Sequence, residues 1–389
     1  MKKLRALQPS AAAFLLMMAM AITTSALSFF VTPVCEDLGI GRGSFTLYYS
    51  LMTASGAVST SFWGSYINKK GVRGVIFLSA LWCSLGLLLF SFSGSLWMFY
   101  LVAAAMGICG TSCLNLCANV IVQTSYSSEQ ASSLLGFVMA GSGVGGMIFS
   151  LVLPGLLEDL GWRMGYRLLA VCFLVLVMGA FLLGGTQDTT GTVGSRKIVL
   201  EGMSRAEALR SPKFYLMMAA IVLYTAGTTI QQQLPALLEG LAFSGTQVGV
   251  MMSVMTASLA LGKIFQGMLY SKVGIARGGS VITVLFAAGF LLLLRPGTAY
   301  AGLVSLAVGM GIVTTLMPTV ARFVFGAREY ASIWSILATA SSAGSFVCTP
   351  IWGLVYDACG NYTPAMLTAP VLLAVGLAAM LLALRDRKG

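Results

Sequence analysis

Long apolar runs separated by short polar ones set the pattern of this chain. Runs near 20 residues match the ~30 Å hydrocarbon core of a bilayer when wound as helices at about 1.5 Å per residue. Twelve can be read, at 10–34, 44–67, 74–92, 96–123, 131–154, 164–185, 214–238, 246–270, 278–294, 298–318, 331–355 and 364–384. The one longer polar stretch, Thr186–Lys213, carries Gly191, Gly194 and Pro212 as breakers and reads as a linker. Within it, Ser204–Leu209 has a short helical pattern suited to lying along a membrane surface.

The pattern also repeats. Met52-Thr53-Ala54-Ser55 recurs as Met255-Thr256-Ala257-Ser258, an offset of 203 residues. Gly64 and Gly267 follow at matching distances, then Gly71 and Gly274, and each pair leads from a span into a basic loop. A weaker echo links Gly155–Gly161 with Gly353–Gly360. Two six-span halves related by duplication are a layout of secondary carriers. The expected architecture is therefore all-α and integral to the membrane: 12 transmembrane helices in two pseudo-symmetric six-helix bundles, 1–185 and 214–389, joined by a cytosolic linker at 186–213.

Composition agrees. The 389 residues are 58% hydrophobic and only 9% charged, which no soluble surface would tolerate. The net charge of +11 follows topology, so nucleic acid is not the expected partner. With both termini in the cytosol, eighteen Lys and Arg fall inside and only Arg42, Arg163, Arg167 and Arg295 outside. The basic start before an apolar stretch resembles a signal peptide, but the stretch exceeds the ~7–15 residues of an h-region and reads as a retained first span. Cys109, Cys113 and Cys117 share one helix face; with no His in the chain they read as small packing residues, so neither metal nor cofactor is expected. No GxxxxGK[ST] loop and no nucleophile–base set appears, which speaks against an ATP-driven pump within this chain and against an enzyme.

Several motifs resemble the major facilitator superfamily over nearly the whole chain. Its loop signature G-x-x-x-D-[KR]-x-G-[KR]-[KR] is met by Gly64, Lys69, Gly71 and Arg73, with Asn68 in place of the usual Asp and Ser271 there in the second half. That substitution removes a carboxylate with which the family's cytosolic basic residues ordinarily pair. The Gly-rich Gly136–Gly146 and Gly161-Trp162-Arg163 resemble the family's fifth helix and sixth-helix opening. Three stretches are similar to the monocarboxylate-transporter and oxalate/formate-antiporter group: Ser28–Pro33 through Arg42; Phe325–Tyr330 with Gly353–Asp357 and Gly360–Tyr362; and Leu261-Gly262-Lys263-Ile264-Phe265-Gln266-Gly267. Relatives there show an arginine at the position of Lys263, and the resemblance implies that this residue meets the substrate carboxylate.

The residues alone point to the same place. Lys263 is the single charge inside the run Val248–Leu269, and no span interior supplies a carboxylate. A charge there costs at least ~2.5–3.5 kcal/mol on insertion scales and normally faces a bundle interior or watery cavity. Snorkelling toward the cytosolic interface is the other open reading. Lys is a compact charge rather than a bidentate fork, so no particular anion is specified. Thr23, Thr24, Asn115, Asn119, Tyr224, Thr228 and Gln231 are candidate cavity residues in spans one, four and seven, and Tyr48, Tyr49 and Trp334 candidate aromatic walls.

The expectation is a secondary active transporter for a small, monocarboxylate-like organic anion, working by exchange or linked to protons, as a monomer in a bacterial plasma membrane. Intramembrane Asp, Glu and His relays are missing, which favours exchange. Two rivals remain open: an efflux protein for amphipathic, drug-like compounds, and a non-transporting sensor that keeps the carrier fold.

Overall fold

The computed structural model describes residues 2–125, 128–183, 202–326 and 328–385. All regular elements among them are helical, and one isolated antiparallel bridge joins Gly202 to Gly326. The chain packs as two compact units: Met1–Ser195 with Phe243–Ser253, and Arg196–Ala242 with Val254–Gly389.

The first unit contains α1 (Lys2–Thr24), a 3-10 turn at Ala26–Phe30, α2 (Val31–Leu38), α3 (Arg42–Lys70), α4 (Arg73–Phe92), α5 (Leu96–Cys109), α6 (Thr111–Ser125) and α7 (Ser128–Leu183). α7 is bent at Gly161, whose φ of 74° and ψ of 165° only glycine adopts easily. Its apolar part, Phe137–Leu183, holds 47 residues, about 70 Å of helix, and so crosses a ~30 Å core twice. The core of this unit is an aromatic cluster of Phe45, Tyr48, Phe90, Phe99 and Tyr166. Cys109, Cys113 and Cys117 are buried and free, in keeping with packing. At one end Trp162 Nε1 and Arg163 both donate to Asp37 Oδ2, at 3.0 and 2.7 Å, tying α2 to the bend of α7.

The second unit contains α8 (Arg205–Arg210), α9 (Pro212–Thr228), a 3-10 turn at Thr229–Gln232, α10 (Leu234–Gly240), most of α11 (Gly245–Val273), α12 (Ile275–Leu292), α13 (Ala299–Met310), α14 (Ile312–Phe325), α15 (Tyr330–Cys359) and α16 (Thr363–Arg385). The short helix of the linker is α8. Ser204 caps it, its hydroxyl accepting from Glu207 N while Glu207 accepts from Ser204 N at 2.8 Å. It rests on this unit's own loop: Met203 N donates to Phe325 O at 2.8 Å and Arg205 N to Glu329 Oε2 at 2.7 Å. Linker residues 184–201 lie outside the described residues.

The sequence repeat extends to the backbone. α3 and α11 are both 29 residues long and start 203 apart. The 3-10 turns that interrupt the first and seventh spans, beginning at Ala26 and Thr229, keep the same offset. So do two left-handed residues, Gly39 (φ 64°) and Ala242 (φ 66°), and two extended glycines, Gly71 (φ 78°, ψ 176°) and Gly274 (φ 84°, ψ 160°). A cross-helix hydrogen bond repeats too: Trp63 Nε1 donates to Ile108 O, and Gln266 Nε2, 203 residues on, to Val308 O.

Nine stretches among the described residues are long and apolar enough to cross a membrane. One of them, Phe137–Leu183, holds two spans. α3 and α15, which are diluted by Ser, Thr and Gly, supply the two further helices of spanning length. All twelve runs read from the sequence fall on helices.

Candidate functional site

α11 presents two exposed faces. Leu261, Ile264, Phe265 and Met268 are 43–67% exposed and form one apolar stripe, as a lipid-facing surface does. At about 100° per residue, Lys263 lies about 150° around the helix from the centre of that stripe. It is exposed, and so is Gly267 one turn on, where an added Cβ would meet nothing. The face between the two packs against the unit. A Cβ on Gly262 would strike the Val308 backbone. Gln266 is fully buried; it donates to Val308 O and accepts from Tyr270 Oη at 2.9 Å and from the Thr315 hydroxyl.

Those contacts fix the roll of α11 and thereby the direction of Lys263. The ammonium has neither ion pair nor hydrogen bond among the described residues, whose one salt bridge is Arg163–Asp37. It stands about ten residues, or about 15 Å, from the end of α11 at Val273. It is thus an exposed cation, unpaired among the described residues, on the side of α11 away from its apolar stripe.

The other candidates divide. Thr228, bonded to Thr225 O at 2.8 Å, and Gln231, in the 3-10 turn after α9, are half-buried in the same unit as Lys263. Tyr224 is fully buried, its hydroxyl 2.8 Å from Thr283 Oγ1, and so belongs to the interior of that unit. In the first unit, Asn119 Nδ2 donates to Asn115 O and Oδ1 at 2.9 and 2.8 Å, a half-buried pair one turn apart on α6. Thr24 is half-buried and bonded to Met20 O at 3.0 Å; Thr23 beside it is buried and bonded to the same carbonyl. Tyr48, expected on an aromatic wall, is 1% exposed inside the cluster of Phe45, Phe90 and Phe99, so it packs the core instead. Tyr49 and Trp334 are half-buried. No hydrogen bond joins any of these residues to Lys263.

Of the loop-signature residues, Gly71 and Gly274 each end a helix in an extended, positive-φ conformation. Arg73 is exposed, its guanidinium 5.2 Å above the Phe181 ring. The surroundings of Gly64, Asn68 and Lys69 lie outside the described residues. Gln266, Tyr270 and Thr315 went unread in the sequence, although an amide three residues from Lys263 in an apolar span was signal enough.

The pattern of the Major Facilitator Superfamily matches residues 11–347. Monocarboxylate transporter 13 of Rattus norvegicus is 28% identical over 326 residues, covering 80% of this chain and 74% of that protein. Multidrug resistance protein MdtG of Rahnella sp. (strain Y9602) is 27% identical over 271 residues, covering 67% of this chain and 64% of its own. Among solved structures, nucleoside transporter NupG superposes with a TM-score of 0.82 at 12% identity, over 98% of this chain and 100% of that one. A bacterial homolog of the human lysosomal transporter Spinster, inward-facing and occupied, gives 0.75 at 15% identity, over 97% and 96%. At these identities the two structures speak for the fold alone.

Proposed function

The chain belongs to the Major Facilitator Superfamily, and we propose that its cargo is a small organic anion of monocarboxylate type, held by Lys263. Family membership makes it a multi-pass membrane transporter with the twelve-helix all-α fold rather than an enzyme. The cargo class is the part that is proposed. One observation carries it: an exposed lysine with no partner among the described residues, on the face of α11 opposite its apolar stripe. The likeness to monocarboxylate transporter 13 supports the same reading, while the likeness to MdtG keeps amphipathic compounds as its rival.

The mechanism follows from charge. A bound monoanion neutralises Lys263 and lowers the cost of moving the site through the membrane, whereas the empty site carries a bare cation and moves reluctantly. Exchange of one anion for another is the mode this favours. Thr228 and Gln231 offer polar groups in the unit that holds Lys263. The proposal includes cytosolic termini and a plasma-membrane location, from the distribution of Lys and Arg. It also includes the division into two six-helix bundles joined at 186–213, and a monomer.

The test is a thermal-shift screen of purified protein and of Lys263→Ala against small carboxylates and amphipathic cations. A charge-assisted hydrogen bond is worth about 1.5–3 kcal/mol, so loss of the ammonium should weaken a true cargo about tenfold to a hundredfold. Stabilisation by a carboxylate in wild type alone supports the proposal. Stabilisation by cations, or by the same anions equally in both proteins, overturns it in favour of drug-type efflux.

A further inference from the structure

Away from Lys263, the end of the second unit where α11 gives way to α12 carries an open cavity of about 860 Å³. Arg277, near the start of α12, and Arg385, the last residue of α16, both line it. Below them the wall is apolar: Val273, Phe323 and Leu381 are 36–44% exposed, and Leu384 lies beside them. Among the described residues no carboxylate lines the cavity, and neither arginine has an ion pair or hydrogen bond. Asp386, next after Arg385 in the chain, is outside those residues.

We propose that this cavity is a binding site for an anionic phospholipid, with its headgroup phosphate between Arg277 and Arg385 and an acyl chain along Val273, Phe323 and Leu381. Each part of the site answers to a part of that ligand. Guanidinium forks match phosphate oxygens bidentately, and two of them at one rim exceed what a neutral headgroup would use. The exposed apolar wall would gain nothing from a free phosphate but is covered by a lipid chain. The arginines sit at helix ends, the depth at which headgroups lie, and basic pockets between membrane helices are suited to such lipids. Isolated arginines at helix ends commonly snorkel without a specific partner. What sets this pair apart is convergence, from two helices distant in sequence, on one cavity. The inference does not depend on the cargo or on Lys263.

The full-length protein in nanodiscs containing phosphatidylglycerol and phosphatidylcholine would be examined by native mass spectrometry for retained lipid. Wild type should retain phosphatidylglycerol above its share of the bilayer. Arg277→Gln with Arg385→Gln should abolish that preference, by about fivefold for each arginine removed. Arg322→Gln, on the same side but outside the cavity lining, should leave it unchanged. No enrichment on wild type overturns the proposal, as does a double variant that behaves like wild type or an Arg322→Gln that loses as much. Displacement of the lipid by inorganic phosphate also overturns it, in favour of a free-anion site. Should the double variant fail to fold, the wild-type enrichment and the phosphate competition still decide the matter.

Discussion

Lys263 was legible because a bilayer makes charge expensive, so one lysine in an apolar run stands out in the sequence. Tyr48 and Tyr224 were not. In a soluble protein, apolar periodicity tells the core from the surface, but lipid is as apolar as a core and periodicity cannot tell which face a tyrosine takes. The same limit hid the packing role of Gln266. Backbone conformation leaves a clearer trace at two positions. Ala242 is the one described non-glycine residue at positive φ, and it stands at the repeat position of Gly39. A left-handed alanine costs roughly 1–2 kcal/mol, so Ala242→Gly should raise the thermal midpoint. Gly274→Ala should lower it by the equivalent of about 1–3 kcal/mol, although an added Cβ there meets nothing, because φ 84° with ψ 160° is essentially glycine-only. Differential scanning calorimetry of both variants checks the pair; equal midpoints would mean that neither backbone is strained as described.

At the scale of elements, the twelve spans were readable, since length and hydropathy alone specify a membrane helix. The 3-10 interruptions at Ala26–Phe30 and Thr229–Gln232 were not: the first is as apolar as its flanks, and neither contains a Gly or Pro to mark a break. The cap of α8 had a readable signature in Ser204 and Glu207, but the loop it rests on is about 120 residues away in the chain and left no mark nearby. That cap should respond to pH. The Ser204 N–H donating to the Glu207 carboxylate, and then the Ser204 hydroxyl, hold it below the ordinary glutamate range. The carboxylate's contribution is therefore full at neutral pH and is lost as pH falls through that lowered value. Hydrogen exchange at Glu207 and Ala208, corrected for the intrinsic rate, should remain slow at pH 6 and quicken in acid below the usual glutamate pKa. Protection unchanged there, or already lost near pH 6, would contradict this account.

For the whole molecule, the duplication read from a repeated tetrapeptide and the glycines after it runs at one offset through helix lengths, helix breaks and left-handed residues, and a cross-helix hydrogen bond recurs with its donor at that offset and its acceptor 200 residues on. Lys263 has no twin: the same offset leads back to Thr60. A duplicated frame that holds its cation once has an electrical consequence. Under the proposed function, the site loaded with a monoanion is neutral and its passage is indifferent to membrane potential. Empty, it is a mobile positive charge, worth at most about 2.3 kcal/mol per 100 mV if it crosses the whole field. In vesicles with a clamped potential, one-for-one anion exchange should therefore run at the same rate at any voltage. Net efflux without external anion, which must return the empty site, should be slower and should change with voltage. Equal rates with and without external anion would remove the barrier assigned to the bare lysine. On the proposed reading, the residue that holds the cargo also makes the unloaded carrier answer to the cell's own battery.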